Sequence, residues 1–484
     1  MRESDFDVSS EREDISDEES EIEEDEEEEP VRKMRKRATL VHQFHLNQRL
    51  LKSVFIRKTH EALAEGSPFP HVHLKNFVRK DMDLLELLQN ELEGAKWRRN
   101  ENDLYSLSQT ADLKSLRLSD SPMLYSFRQF LIHTVRPWIS SITGVDLTEE
   151  VDSTGSVYST NDGLLPHSDL IGTRHFAFVY YLTDDSWDES DGGYLHLYST
   201  NDKHEPVYVV KSLQPTRNSL VLFEVSEDSW HRVGEVLSGR ARLSINGWFH
   251  STRCLQPPLV PVRLLPRQKI TDEDIDLEDL VSPSYQITDV VADAKAQFVE
   301  DGFILVALFV QPNLNNCIRK ELSEAKFEVV GPPSKRHLPQ LPLSSLPEAS
   351  SALSSILRSS IFAQYIEMLT GIDVSGCELS LEVTRFENGV YSVAGDEEIE
   401  EGRTGHRLEC HVFIGGKEWE AGAGGHTVYA RRNEEDTVAL VPPLPRSLSL
   451  VRCDPSTYSF CKYVNASAAQ PIAHYRLVYY DISV

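Results

Sequence analysis

The chain has few cysteines for its length, six in 484 residues, and no two of them form a CxxC pair. That scatter excludes a zinc finger and a disulfide scaffold, so Cys254, Cys317, Cys377, Cys410, Cys453 and Cys461 are expected to be reduced thiols. Long apolar runs are also missing. The longest, residues 302–310, is about half of the roughly 20 residues a membrane-spanning helix needs, and no membrane partner is expected. The first residues are acidic and lack the basic start and apolar stretch of a secretory signal, which points to an intracellular protein. Positive charge is scarce too: 49 Lys and Arg stand against 77 Asp and Glu, a net charge of -28. A field of that sign repels a phosphate backbone, so direct nucleic-acid readout is not expected and a basic protein partner or substrate is favoured.

What is present organises into four stretches. Residues 1–38 hold an Asp/Glu/Ser-rich tail that cannot bury enough apolar surface to fold. It ends in the cluster Arg32-Lys33-Met34-Arg35-Lys36-Arg37, which reads as a nuclear import signal or as counter-charge to the tail. Residues 39–256 are globular. Apolar spacing predicts amphipathic helices over residues 82–92 and 123–142, followed by short β-rich runs at 175–182, 193–198, 219–223 and 242–248, separated by Gly, Asn, Asp and Ser. Residues 257–284 are rich in proline and acid and read as a linker; residues 285–484 form a second globular region. The fold class is mainly β with flanking helices, and many short strands with regular turns predict a double-sheet jelly roll or barrel.

The chemistry concentrates between Gly155 and His250. His167 and Asp169 stand two apart, a spacing that on a strand sends both side chains to one face. His231 can complete a two-histidine, one-carboxylate set, the facial arrangement that binds non-haem Fe(II) and leaves three positions open. His175, His196, His204 and His250 have no carboxylate two residues away and read as packing or surface residues. Arg242 supplies a guanidinium for the far carboxylate of a dicarboxylate cosubstrate. Arg242, Ser244 and Asn246 share one strand face and Leu243 and Ile245 the other, so a polar face can line a pocket backed by core. Tyr158 and Tyr181 are candidates to donate hydrogen bonds to the same ligand. Arg174, as a hold on a substrate carbonyl, and Trp248, as a wall of the cleft, are candidate substrate contacts.

The second globular region echoes the first at an offset near 230. Thr143-Gly144 matches Thr370-Gly371, Val157-Tyr158-Ser159 matches Val390-Tyr391-Ser392, and Gly192-Gly193 matches Gly424-Gly425. Ser219 to Leu222 matches Ser447 to Leu450, and Arg242-Leu243 matches Arg476-Leu477. Such order is the mark of an internal repeat. Residues 395–402, where His167 and Asp169 should recur, contain no histidine, and the place of His231 falls near Ser459-Phe460-Cys461. The second copy is expected to be non-catalytic and to serve structure or a protein partner.

With Val179 to Thr183 and Asp191-Gly192-Gly193, these residues resemble the 2-oxoglutarate- and Fe(II)-dependent prolyl hydroxylases. Over roughly residues 39–484 the closer resemblance is to the 2-oxoglutarate and iron-dependent oxygenase domain-containing proteins. That resemblance implies tandem double-stranded β-helix domains, the second degenerate, and 3-hydroxylation of a proline in a small-subunit ribosomal protein with a role in translation. It implies Fe(II) on His167, Asp169 and His231, 2-oxoglutarate on Arg242 with Tyr158 and Tyr181, dioxygen as oxidant, L-ascorbate as reductant, and residence in nucleus and cytoplasm. Other readings are an oxygenase acting on another protein or on a nucleic-acid base, a scaffold for translation factors, and a cupin-like metalloenzyme that does not use 2-oxoglutarate.

Overall fold

A computed structural model describes residues 42–80, 82–256, 265–272, 276–278, 280–394, 405–432 and 437–483. The acidic tail, the basic cluster, parts of the expected linker and the 395–402 segment lie outside the described residues. The chain divides into two compact units on either side of residue 260, with Asn102–Leu104 counted to the second. Among the described residues no helix is long and apolar enough to cross a membrane, and all six cysteines are free.

In the first unit, helices come first because apolar residues recur at helical spacing. Ser53–Ala64 buries Phe55, Thr59 and Leu63, and Met82–Glu93 buries Leu85, Leu88 and Leu92. The single helix expected over residues 123–142 contains a wide turn. Pro122–Phe130 and Arg136–Thr143 are joined by a π turn at Leu131–Val135. Pro137 accounts for it: proline has no N–H to donate and its ring crowds the carbonyl of the preceding turn, so the helix widens there. Gly144, at φ +73°, ends the helix in the left-handed region that glycine enters without penalty.

Eight strands follow: β1 (Leu147–Tyr158), β2 (Gly163–His167), β3 (Arg174–Tyr181), β4 (Leu195–Thr200), β5 (Pro206–Leu213), β6 (Ser219–Glu224), β7 (His231–Val233) and β8 (Arg242–Ser251). They pair as β6-β3-β8-β1 and β2-β7-β4-β5, bridged by the strand Tyr105–Gln109 between β1 and β2. The chain winds back and forth between two four-stranded antiparallel sheets, which is a double-stranded β-helix. Phe176, Phe178, Tyr180, Leu220, Leu222, Leu243 and Ile245 pack against the helices, while their alternate neighbours Ala177, Tyr181, Val221 and Phe223 belong to a separate core cluster that includes Tyr158, Leu195, Leu197 and Val233. Both faces of these strands are buried, which is why they read as continuous apolar runs.

The second unit repeats this plan with β9 (Glu378–Phe386), β10 (Tyr391–Ser392), β11 (His406–Ile414), β12 (Thr427–Arg431), β13 (Thr437–Val441), β14 (Leu448–Cys453), β15 (Thr457–Cys461) and β16 (Ile472–Ile482). Its orders β14-β11-β16-β9 and β15-β12-β13 reproduce the first unit, with β10 paired instead to Arg336–Gln340. Local devices repeat too. The Glu91 carboxylate accepts from the Met123 and Leu124 amides, and Glu321 accepts from Ala349 and Ser350. Trp187 and Trp419 donate to the carbonyls of Gly192 and Gly424.

Register corrects two of the sequence matches. The β1–β8 ladder begins with Tyr158 opposite Arg242, and the β9–β16 ladder with Phe386 opposite Ile472. The turns that follow are alike: Asn161 donates to Val236 and Val236 to Asp162, as Gly389 does to Val464 and Val464 to Val390. Phe386 and Ile472, not Tyr391 and Arg476, therefore stand in the places of Tyr158 and Arg242. Short sequence matches slipped by a few residues because the loops of the two copies differ in length.

Gly247 in β8 has no room for a side chain, because a Cβ there would overlap the backbone carbonyl of Asp152 in β1. Gly247→Ala is expected to destabilise the first unit by about 3 kcal/mol, the scale of overpacking against fixed backbone. Gly239→Ala, where nothing lies within 4 Å, should leave the unfolding midpoint unchanged. Equal midpoints in urea for both variants would contradict this packing.

Candidate metal centre

The ladder between β2 and β7 places His167 directly opposite His231, with ring centroids 4.3 Å apart. Each ring is fixed by its outer nitrogen. His167 Nδ1 lies 2.8 Å from the Leu165 carbonyl, and His231 Nδ1 2.8 Å from the Ser229 carbonyl. With Nδ1–H donating outward, both Nε2 lone pairs turn inward, the tautomer a metal ligand needs. Asp169 faces them, its carboxylate oxygens 3.8 Å from His167 Nε2 and 3.4 Å from His231 Nε2. One donor atom from each residue lies within 4.8 Å of the others.

The pairing of His167 with Asp169 does not come from strand alternation. β2 ends at His167, and Asp169 sits in the turn that follows, where its carbonyl accepts from the Ile171 amide. Turn geometry, not the pleat, swings the carboxylate to the histidines. Burial holds the His167 imidazole down to about 4, and neighbouring His231 pushes the same way, so the ring stays neutral at physiological pH.

Arg242 opens β8 and is 1% exposed. Its Nε donates to the Gly193 carbonyl at 2.7 Å and its Nη2 to the Tyr181 hydroxyl at 3.3 Å. The rings of Tyr158 and Tyr181 lie 4.9 and 5.0 Å from its Cζ. Among the described residues no carboxylate pairs with it. A buried guanidinium without a counter-ion costs several kcal/mol, so this pocket selects an anion. Burial raises both phenols, which stay protonated and able to donate. Ser244 is buried two residues along the same strand face, and Leu243 and Ile245 face the helices, as the sequence predicts.

Arg174 and Trp248 meet each other: the Arg174 Cζ stands 3.5 Å over the indole. The competing histidines have other partners, His175 with Ser251, His196 with Ser212 and His204 with Asp228. Sequence reasoning missed the Gly193 carbonyl. A Cβ on Gly193 would crowd Arg242 Cδ at 2.9 Å, so the glycine lets the arginine pass. It also missed the Arg240–Asp191 ion pair that steadies this turn. The doubled glycine was the available signal for the first; nothing in the sequence marked the second.

A family model described as 2OG-Fe(II) oxygenase superfamily matches residues 153–250, and one described as oxoglutarate and iron-dependent oxygenase degradation C-term matches residues 272–480. Prolyl 3-hydroxylase OGFOD1 of Xenopus laevis is 32% identical over 447 residues, covering 84% of this chain and 85% of the relative. Prolyl 3,4-dihydroxylase OGFOD1 of Ostreococcus tauri is 28% identical over 502 residues, covering 86% and 95%. Among solved structures, a Pseudomonas putida prolyl-4-hydroxylase is similar at 18% identity with a TM-score of 0.33, covering 40% of this chain and 98% of its own. The family implies Fe(II) as the metal, with 2-oxoglutarate and dioxygen as co-reactants, and the donor set and an Arg242 with no carboxylate partner among the described residues suit them. The chain belongs to the prolyl 3-hydroxylase family of 2-oxoglutarate- and Fe(II)-dependent dioxygenases.

Proposed function

We propose that this dioxygenase 3-hydroxylates a prolyl residue of a basic small-subunit ribosomal protein, with His167, Asp169 and His231 as iron ligands and Arg242 as the anchor of 2-oxoglutarate. The observation that carries it is the coexistence in one double-stranded β-helix of a converging N, N, O donor set and a buried arginine with no carboxylate partner. When bound, the iron supplies the oxidising chemistry that couples decarboxylation of 2-oxoglutarate to oxygen insertion into a C–H bond. The chain's own groups hold and orient. Leu165 and Ser229 carbonyls keep the imidazole protons on Nδ1. Arg242 pairs with the distal carboxylate, and the Tyr158, Tyr181 and Ser244 hydroxyls donate to the same ligand. Arg174 and Trp248 receive the peptide.

The net charge of -28 supports a basic protein substrate through complementary fields. L-ascorbate keeps the iron reduced, and the enzyme works in nucleus and cytoplasm. The second unit binds a protein partner instead of a substrate. What supports the absence of a substrate site is that Phe386, Phe413 and Ile472 occupy the places of Tyr158, Tyr181 and Arg242, and Ser459 lies opposite Tyr429 where His231 lies opposite Leu197.

Incubated with Fe(II), 2-oxoglutarate and a proline peptide from a small-subunit ribosomal protein, the chain should release succinate while the peptide gains one oxygen on the ring carbon adjacent to Cα. Succinate release with no change in peptide mass would remove the ribosomal assignment and leave the oxygenase. Arg242→Ala should raise KM for 2-oxoglutarate by on the order of a hundredfold, the scale of losing one partner of a buried charge pair, with iron still bound. His231→Ala should lose the iron itself, read by metal analysis of the purified chain; retention of stoichiometric iron would show that the ligands lie elsewhere.

A further inference from the structure

A second group of metal-ligating side chains stands apart from His167, Asp169 and His231, beside Trp248 and Arg174. Glu150 and Asp152 lie two apart on β1, and His250 lies on the adjacent β8, near the pair Trp248 and Asp152. One donor atom from each falls within 4.8 Å of the others. His250 is only 6% exposed, and its Nε2 is a buried nitrogen with no hydrogen-bond partner. That nitrogen stands 3.3 Å from Asp152 Oδ2, close but outside hydrogen-bond geometry. Its other nitrogen is engaged, with Nδ1 3.0 Å from Thr173 Oγ1.

This is the same signature as at His167 and His231: an outer ring nitrogen tied to a protein oxygen and an inner one facing a carboxylate at 3.3 to 3.8 Å. A buried polar nitrogen left without a partner costs about 1–3 kcal/mol, and a ligand that accepts its lone pair removes that cost. We infer that Glu150, Asp152 and His250 form a second divalent-cation site, open on the Glu150 side, for a borderline transition ion of the zinc class. One imidazole and two carboxylates with room for water suit such an ion and not a calcium cage. Lys114 reaches the other oxygen of Asp152, Oδ1, at 3.6 Å, and is itself exposed, so it screens the site without occupying Oδ2. With Nδ1–H donating to Thr173, His250 presents its Nε2 lone pair to the ion, and Thr173 acts as a positioning residue.

The test uses the full chain with His167, Asp169 and His231 all changed to alanine, so that only the second group remains, and adds Co2+ alone or Zn2+ alone. Expected is stoichiometric cobalt with visible absorption and a matching zinc content by metal analysis. His250→Ala in that background should weaken binding by at least ~100-fold, and Thr173→Val by about tenfold, since loss of an outer-shell partner alone costs 10–100-fold. Unfolding midpoints measured without metal keep loss of binding separate from loss of fold. No bound ion in the triple variant, or undiminished binding in the His250→Ala form, would overturn the site. Neither result touches the oxygenase reading, which is tested on the unaltered His167, Asp169 and His231.

Discussion

The antiparallel register between β2 and β7 is the constraint on which the rest depends. It sets His167 against His231, and both outer nitrogens are spent on backbone carbonyls, so the inner nitrogens have nowhere to point except toward Asp169. A slip of one residue in that ladder would send one imidazole to the opposite face. The two-sheet winding exists in this chain to hold that register. Helices cover one face of β3, β6 and β8 in the opposite sheet, packed on Phe176, Phe178, Leu222 and Ile245. Burial then sets the electrostatics: it keeps His167 neutral and, among the described residues, leaves Arg242 with no carboxylate partner.

The second unit shows what the same scaffold does when its interior is satisfied. Glu409, fully buried, lies 2.7 Å from Arg407 and from Arg476 and accepts from the Tyr429 hydroxyl at 2.8 Å. His411 bonds His474 at 2.9 Å. Burial would push the Glu409 carboxyl up, but Arg476 and Arg407 hold it below the usual carboxylate range. Each charge has its partner inside the protein. Where the first unit keeps a guanidinium waiting for an anion, the second closes its charges on themselves and fills the neighbouring places with Phe386, Phe413 and Ile472. The difference between the two copies is thus one of interior, with the strand order retained.

Much of this could be read from the chain. The apolar runs at residues 175–182 and 219–223 became β3 and β6, the polar-apolar alternation from Arg242 to Asn246 placed the arginine inward, and the repeat surfaced in Thr143-Gly144 and Gly192-Gly193. The misses share a cause. β1 begins at Leu147, earlier than its polar Glu149 and Glu150 suggest, because pairing with β8 decides its length. β7 is only three residues long and exists through its neighbours β2 and β4. His250 has no carboxylate near it in sequence, yet Asp152 reaches it across the ladder. Contacts between strands far apart in the chain leave no local periodicity to detect.

β8 acts as a ruler for the whole cleft. Arg242, Ser244, Asn246, Trp248 and His250 fall on one face, and a strand rises about 3.3 Å per residue, so Trp248 stands roughly 20 Å along from Arg242. On the function proposed above, a short dicarboxylate at Arg242 would be too short to span that distance to Trp248. The far half of the strand, where Arg174 lies over Trp248, lies beyond its reach. Arg242 and the Arg174–Trp248 pair occupy successive lengths of one strand, and Gly247 lets β1 approach closely between them. The order of groups along β8 thus sets the buried Arg242 and the Arg174–Trp248 pair at opposite ends of one strand.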